Sequence, residues 1–109
     1  MVAGVRARWK ENTELYEALF ENFEKVATSG ISAIRSGDYQ TLGEMMNINQ
    51  GLLSAIQVSS PELDRMIEIA RSQGAIGAKV TGAGGGGSMV ALCEEKTEPV
   101  ASALSNKGF

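Results

Sequence analysis

The stretch that decides the fold is Ala75-Ile76-Gly77-Ala78-Lys79-Val80-Thr81, then Gly82-Ala83-Gly84-Gly85-Gly86-Gly87, then Ser88-Met89-Val90-Ala91-Leu92-Cys93. Its first and last parts are short apolar runs bounded by glycine or charge, a pattern that predicts strands rather than helices. The five glycines among the six residues between them cost folding entropy. Such a cost indicates a backbone that needs positive φ or closely approaches a neighbour. We therefore expect a strand pair joined by a specialised loop, with a flexible surface hairpin as the alternative.

This glycine-rich loop is a candidate anion site, because consecutive backbone N–H groups can form a concave nest for phosphate or carboxylate oxygens. A P-loop requires a lysine before its serine or threonine, whereas Ser88 directly follows Gly87. Gly82, Gly84 and Gly87 match the spacing of the dinucleotide-binding fingerprint, but that motif continues into a helix and this one into a predicted strand. A protein-kinase loop requires a longer chain with a catalytic-loop Asp and a DFG sequence. None of these three classes of phosphate loop fits the sequence.

Apolar residues at helical spacing predict helices on both sides of the strands. The capping residues indicate where each helix begins. The predicted helices are a long one of about 30 residues from Val5 to Ile34, a second capped by Asp38 and ending near Ile56, a third that starts at Ser60-Pro61-Glu62 and ends near Gly74, and a last one that starts at Thr97-Glu98-Pro99. The sequence thus predicts an α+β fold.

Composition and charge exclude several classes of protein. The 109 residues are one domain's worth of chain, and 43% hydrophobic with 21% charged residues is typical of a soluble globular domain. A net charge of −3 with scattered basic residues disfavours nucleic-acid binding. No histidine and a single cysteine, Cys93, exclude an intrachain disulfide, zinc clusters and His-dependent triads within this sequence. The sequence lacks a signal-peptide pattern and an apolar run of about 18 residues, so we expect a cytoplasmic protein without a membrane segment.

The sequence pattern at both ends of the chain is that expected of a truncated domain. The helical pattern is already running at Val5, without a preceding cap, and Gly108-Phe109 resembles a turn into a further strand. Two short strands form only a marginal sheet. We therefore expect a piece of a larger fold.

Residues 78–92 closely resemble the third conserved motif of the GHMP kinases, the superfamily of galactokinases, homoserine kinases, mevalonate kinases and phosphomevalonate kinases. Within that superfamily, the core from Thr81 to Gly87 is most like that of the mevalonate kinases. Residues 42–53 and 58–63 are similar to a helix pair of the archaeal-type members, so the resemblance covers nearly the whole chain. One departure is Ser88, where this family more often has cysteine.

The resemblance implies that residues 1–109 form a single carboxy-terminal domain, an α+β unit with helices packed on an antiparallel sheet of ferredoxin-like character. It implies a parent enzyme that transfers the γ-phosphoryl group of ATP to the 5-hydroxyl of mevalonate in isoprenoid biosynthesis. ATP and Mg²⁺ would be bound mainly by an amino-terminal kinase domain that this chain lacks, and the parent is a candidate homodimer. Accordingly, we assign no catalytic or metal-binding residue to this chain.

Alternatives to this function remain open from the sequence. They are a free-standing module that binds anions or phosphorylated metabolites, a structural or oligomerisation domain, and a GHMP kinase that acts on phosphomevalonate, galactose or another sugar.

The resemblance also implies which residues border the cleft. The predicted phosphate and substrate loop consists of Thr81, Gly82, Ala83, Gly84, Gly85, Gly86, Gly87 and Ser88. Of these, Thr81 and Ala83 are predicted to line the mevalonate side, Thr81 through its hydroxyl. Asn49, Gln50 and Lys79 are further candidates for the cleft wall. The alternatives are local backbone capping for the two amides and a solvated strand lysine for Lys79.

Overall fold

The structure, a computed structural model, describes residues 2–81, 87–95 and 97–109. In these ranges helices precede, flank and follow a β-hairpin. The elements are α1 (Val2–Glu11), α2 (Thr13–Ser36), α3 (Tyr39–Ala55), α4 (Pro61–Ser72), β1 (Gly77–Thr81), β2 (Ser88–Leu92) and α5 (Thr97–Asn106). No helix within the described ranges is long and apolar enough to cross a membrane.

The predicted long helix is wrong in one respect, because the chain leaves helical geometry at Asn12, with φ −134° and ψ 54°. Two side chains near this break bond to the end of α1: the Asn12 amide donates to the Arg8 carbonyl at 3.2 Å, and the Thr13 hydroxyl donates to the Trp9 carbonyl at 3.2 Å. Such local side-chain bonds compete with helical hydrogen bonding. Apolar periodicity does not reveal the break, since Trp9 still meets Phe20 of α2 edge to face at 5.4 Å.

The predicted starts of α3 and α4 are confirmed by their caps. The Asp38 carboxylate accepts from the Thr41 backbone N–H at 3.1 Å and from its hydroxyl at 2.6 Å, and these bonds hold the pKa of Asp38 below its usual value. The Ser60 hydroxyl accepts from the Leu63 N–H at 3.2 Å, with Pro61 in the first turn. Each cap satisfies a backbone donor that the helix itself leaves unpaired.

The strands pair antiparallel, with Thr81 opposite Ser88 and Gly77 opposite Leu92. On one face of this sheet the core is formed by side chains of α4, α5 and β1 and of the turn before β1. Its buried members are Leu63, Ile67, Ala70, Ala75, Ala78, Val80 and Val100. The predicted architecture of helices packed on an antiparallel sheet is therefore confirmed.

Two amide side chains of α3 bond to the backbone of β1 and of the residue before it. Asn47 donates to the Ile76 carbonyl at 3.2 Å and accepts from the Ala78 N–H at 3.1 Å. One turn later, Gln50 accepts from the Val80 N–H at 2.8 Å. This arrangement fixes α3 along the side of β1 that faces away from β2.

Candidate functional site

The two ends of the glycine-rich loop are joined by their side chains. The hydroxyls of Thr81 and Ser88 lie 2.6 Å apart, and the Thr81 hydroxyl also lies 3.4 Å from the Ser88 carbonyl. These residues form the last pair of the hairpin, so the contact sets the width of the loop at its base. The predictions for residues 82–86, Gly82 to Gly86 with Ala83 among them, lie outside the described residues.

The loop returns to β2 through Gly87, whose φ of 66° is in the left-handed region that favours glycine. A Cβ at this position would lie 3.1 Å from Leu63 Cδ1, in the first turn of α4. Gly87 thus combines positive φ with a close approach, the two conditions that the sequence indicated. The end of the loop therefore lies against the start of α4.

Lys79 lies two residues before Thr81, and side chains two apart in a strand share a face of the sheet. Its ammonium donates to the Val80 carbonyl at 2.6 Å. Burial lowers the pKa of this ammonium from its usual value. Lys79 is thus half-buried near the base of the loop, rather than a fully solvated strand lysine.

The structure brings Lys79 and Asn49 together in one groove of about 230 Å³ between α2 and α3. The walls are mostly apolar and include Val26, Leu42 and Met45. Asn49 Oδ1 is buried and accepts no hydrogen bond in the described part of the chain. An ammonium and an amide oxygen beside apolar walls are groups that can orient a ligand with both polar and apolar parts.

Gln50 is placed differently from its neighbour Asn49. Its side chain is 5% exposed. Its amide oxygen accepts from the Val80 N–H, and its amide nitrogen donates to the Ser59 hydroxyl at 3.1 Å. The Ser59 hydroxyl in turn donates to the Asp64 carboxylate at 2.7 Å. Gln50 also borders a second groove, of about 640 Å³, between α3 and α4. Its direct contact with a ligand stays a prediction.

Sequence reasoning singled out Gln50 as a candidate for the cleft wall, not for this network, and it missed Asn47, Ser59 and Asp64 altogether. Asn47 and Gln50 are three residues apart on α3, a spacing that places two side chains on one face of a helix. Two amides at this spacing on a helix with apolar neighbours were the available signal. Ser59 and Asp64 gave no comparable signal, because their role depends on how α3 and α4 meet.

The hydroxyls of Thr81 and Ser88 and the ammonium of Lys79 can donate hydrogen bonds to the oxygens of an anionic or hydroxylated ligand. Nowhere in residues 2–81, 87–95 and 97–109 do three His, Cys, Asp or Glu side chains come close enough to hold a metal ion.

In a comparison with known families, residues 31–109 match the family described as GHMP kinases C terminal. Among curated proteins, the chain is 44% identical to the mevalonate kinase of Pyrococcus abyssi, over 99% of this chain and 34% of that protein. It is 39% identical to the mevalonate kinase of Methanothermobacter thermautotrophicus, over 96% of this chain and 35% of that protein. The chain thus spans about a third of the length of these relatives.

Solved structures give a corresponding result. The fold is similar to that of L. major mevalonate kinase in complex with R-mevalonate, with a TM-score of 0.91 and 31% identity over 97% of this chain and 33% of that chain. It is also similar to the mevalonate kinase of Methanococcus jannaschii, with a TM-score of 0.69 and 32% identity over 83% of this chain and 27% of that chain.

Proposed function

The chain belongs to the family of GHMP kinase C-terminal domains, and from this premise we propose that it is the carboxy-terminal domain of a mevalonate kinase. The observation that carries the proposal is the 44% identity to a mevalonate kinase over 99% of this chain. The similarity to an enzyme that was crystallised with R-mevalonate, at a TM-score of 0.91, supports the same substrate. The parent enzyme would transfer the γ-phosphoryl group of ATP to the 5-hydroxyl of mevalonate.

Phosphoryl transfer depends mainly on positioning and on stabilising the charge of the transferred group. The part that we assign to this chain is positioning on the acceptor side. Thr81 donates its hydroxyl to an oxygen of mevalonate, and Ser88 holds the Thr81 hydroxyl at 2.6 Å. By resemblance to the family, we assign residues 82–87 to the part of the cleft that borders the phosphate-binding loop of the amino-terminal domain.

Lys79 and Asn49 form the wall of the same cleft in this proposal. They lie together in the groove between α2 and α3, and Lys79 shares a face of β1 with Thr81. The positive charge of Lys79 favours an anionic ligand at this wall.

ATP supplies the phosphoryl group, and Mg²⁺ neutralises phosphate charge during the transfer. In such sites Mg²⁺ is usually held by one or two carboxylates together with phosphate oxygens and water, so it would accompany ATP. We assign the binding of both ATP and Mg²⁺ to the amino-terminal domain of the parent.

The test begins with the DNA upstream of the Met1 codon, where we expect an in-frame segment that encodes an amino-terminal kinase domain. The full-length protein is then assayed for ADP release with mevalonate, phosphomevalonate, galactose or homoserine as the acceptor. We expect the highest kcat/KM with mevalonate and no turnover by the 109-residue chain alone.

A higher kcat/KM with another acceptor would contradict the assignment of mevalonate but not membership of the family. Turnover by the isolated chain would contradict the assignment of catalysis to the absent domain. If the upstream DNA holds a stop codon instead, calorimetric titration of the chain with phosphate monoesters tests the binding-module alternative.

A further inference from the structure

Val80, the last buried residue of β1 before the glycine-rich loop, has both of its backbone polar groups held by side chains. Gln50 Oε1 accepts from its N–H at 2.8 Å, and Lys79 Nζ donates to its carbonyl at 2.6 Å. Val80 itself is 2% exposed, so leaving one of these backbone groups unpaired would cost free energy. The end of β1 from which the loop departs is thus held by two side chains, those of Gln50 and Lys79.

The far end of the Gln50 side chain connects this strand end to the start of α4. Its amide nitrogen donates to the Ser59 hydroxyl at 3.1 Å, and that hydroxyl donates to the Asp64 carboxylate at 2.7 Å. The other end of the loop meets the same helix, because Gly87 lies against Leu63. Both ends of the loop are therefore connected to the first turn of α4: Val80 through Gln50 and Ser59, and Gly87 through its contact with Leu63.

From these contacts we propose that Gln50 is a positioning residue, which fixes the start of the glycine-rich loop relative to α4. This role rests on the proposed function, because the loop is the part of this chain that we place in the phosphoryl-transfer cleft. An error of about 1 Å in the position of reacting groups can cost about 100-fold in rate, so a shift at Val80 is expected to affect turnover.

A purely structural role would predict the same loss from any comparable contact between α3 and β1, and the chain offers a matched control. Asn47, one helical turn earlier, makes two bonds of the same chemistry, to Ile76 just before β1 and to Ala78 within it, at the end of the strand away from the loop. Removing either amide takes a partner from a backbone N–H of a buried residue, Ala78 or Val80. Only Gln50 lies at the loop.

The experiment compares Gln50→Met with Asn47→Leu in the full-length parent, because both changes keep the size of the side chain and remove its hydrogen bonds. Measured quantities are unfolding by urea, kcat and KM for mevalonate, and amide hydrogen exchange of residues 80–88. We expect similar losses of stability in the two variants. Gln50→Met is expected to lower kcat at saturating substrate by about 10- to 100-fold and to speed exchange in residues 80–88, whereas Asn47→Leu leaves both within about twofold.

Ser59→Ala is a milder second variant, which breaks the link to Asp64 but leaves the Gln50–Val80 bond in place. We expect it to fold and to give a smaller increase in exchange over residues 80–88. Unchanged exchange in both Gln50→Met and Ser59→Ala, or equal increases in Gln50→Met and Asn47→Leu, would overturn the proposal.

Hydrogen exchange is measured without substrate, so this result does not depend on which acceptor the parent phosphorylates. Selective loosening of residues 80–88 in a parent that does not use mevalonate would leave the role of Gln50 standing and remove only the proposed substrate. If the parent is a fully active mevalonate kinase and Gln50→Met leaves kcat unchanged, the proposed substrate stands and the positioning role of Gln50 is wrong.

Discussion

The Thr81 hydroxyl has one proton and therefore donates one hydrogen bond at a time. In its contact with Ser88 at 2.6 Å, either oxygen can be the donor. When Ser88 donates, the proton of Thr81 can bond either to the Ser88 carbonyl oxygen, 3.4 Å away, or to an oxygen of a ligand. The proposed bond from Thr81 to the substrate would therefore replace this long bond to the Ser88 carbonyl and leave the contact between the two hydroxyls in place.

Substitutions at Thr81 and Ser88 distinguish two roles of the Thr81 hydroxyl: binding the substrate, and holding the two ends of the loop together through its contact with Ser88. A net hydrogen bond contributes about 1 kcal/mol, so we expect Thr81→Val to lower kcat/KM for mevalonate by about five- to tenfold. Ser88→Ala removes the same contact but leaves the Thr81 hydroxyl, so a loss of about twofold is expected. Thr81→Ser, which keeps the hydroxyl, serves as the control, and all three variants are measured in the full-length protein. Equal losses in Thr81→Val and Ser88→Ala would limit Thr81 to the closure of the loop.

At the scale of secondary-structure elements, α3 and β1 meet at a pair of glycines. A Cβ on Gly43 would lie 2.5 Å from the Ile76 carbonyl oxygen, and a Cβ on Gly77 would lie 2.6 Å from Gly43 Cα. Helix and strand therefore approach more closely than any other residue would permit. By contrast, Gly51, on the same helix, has no atom within 4 Å of the corresponding position.

Alanine substitutions at Gly43 and Gly51 should consequently change the free energy of unfolding in opposite directions. Gly43→Ala forces α3 away from β1, and we expect it to lower the free energy of unfolding by about 2 kcal/mol. Gly51→Ala is expected to raise that free energy by about 0.5 to 1 kcal/mol, because alanine is the better helix former at an open position. Urea titrations followed by circular dichroism measure both. A Gly43→Ala variant as stable as the wild type would contradict the close packing of α3 on β1.

The elements were predictable from the sequence wherever their cause is local. Asp38 and Ser60 cap the helices that follow them through bonds to residues three positions away, so residue type and spacing are sufficient. The break at Asn12 was not predictable from periodicity, because the aromatic side chains pack across it. Nor was the role of Gln50, whose partner Val80 is thirty residues away in the chain.

At the scale of the whole molecule, several large apolar side chains are exposed. On α2, Ile31 is 50% and Ile34 is 60% exposed, although periodicity put Ile34 on the apolar face of the first predicted helix. Residues three apart on a helix are neighbours, so these two form a common apolar surface. A surface of this kind fits a domain that packs against further parts of a parent protein.

The isolated 109-residue chain is therefore expected to self-associate. Sedimentation velocity at increasing concentration should give a rising mean sedimentation coefficient, since association buries the exposed apolar side chains. Changing Ile31 and Ile34 together to Gln should reduce this rise, whereas Ser32→Gln on the same helix should not. A concentration-independent monomer would contradict the prediction.

The bonds of Asn47 and Gln50 to β1 also decide in which direction the sheet can grow. These amides take the places that the backbone of an adjacent strand would occupy beside Ile76, Ala78 and Val80. A new strand, whether from a parent protein or a second copy, can therefore join the described hairpin only beside β2. Fibrils of the cross-β type need every strand to pair on both sides. Because α3 covers the free edge of β1, strand addition and fibril growth are blocked on that side of the hairpin.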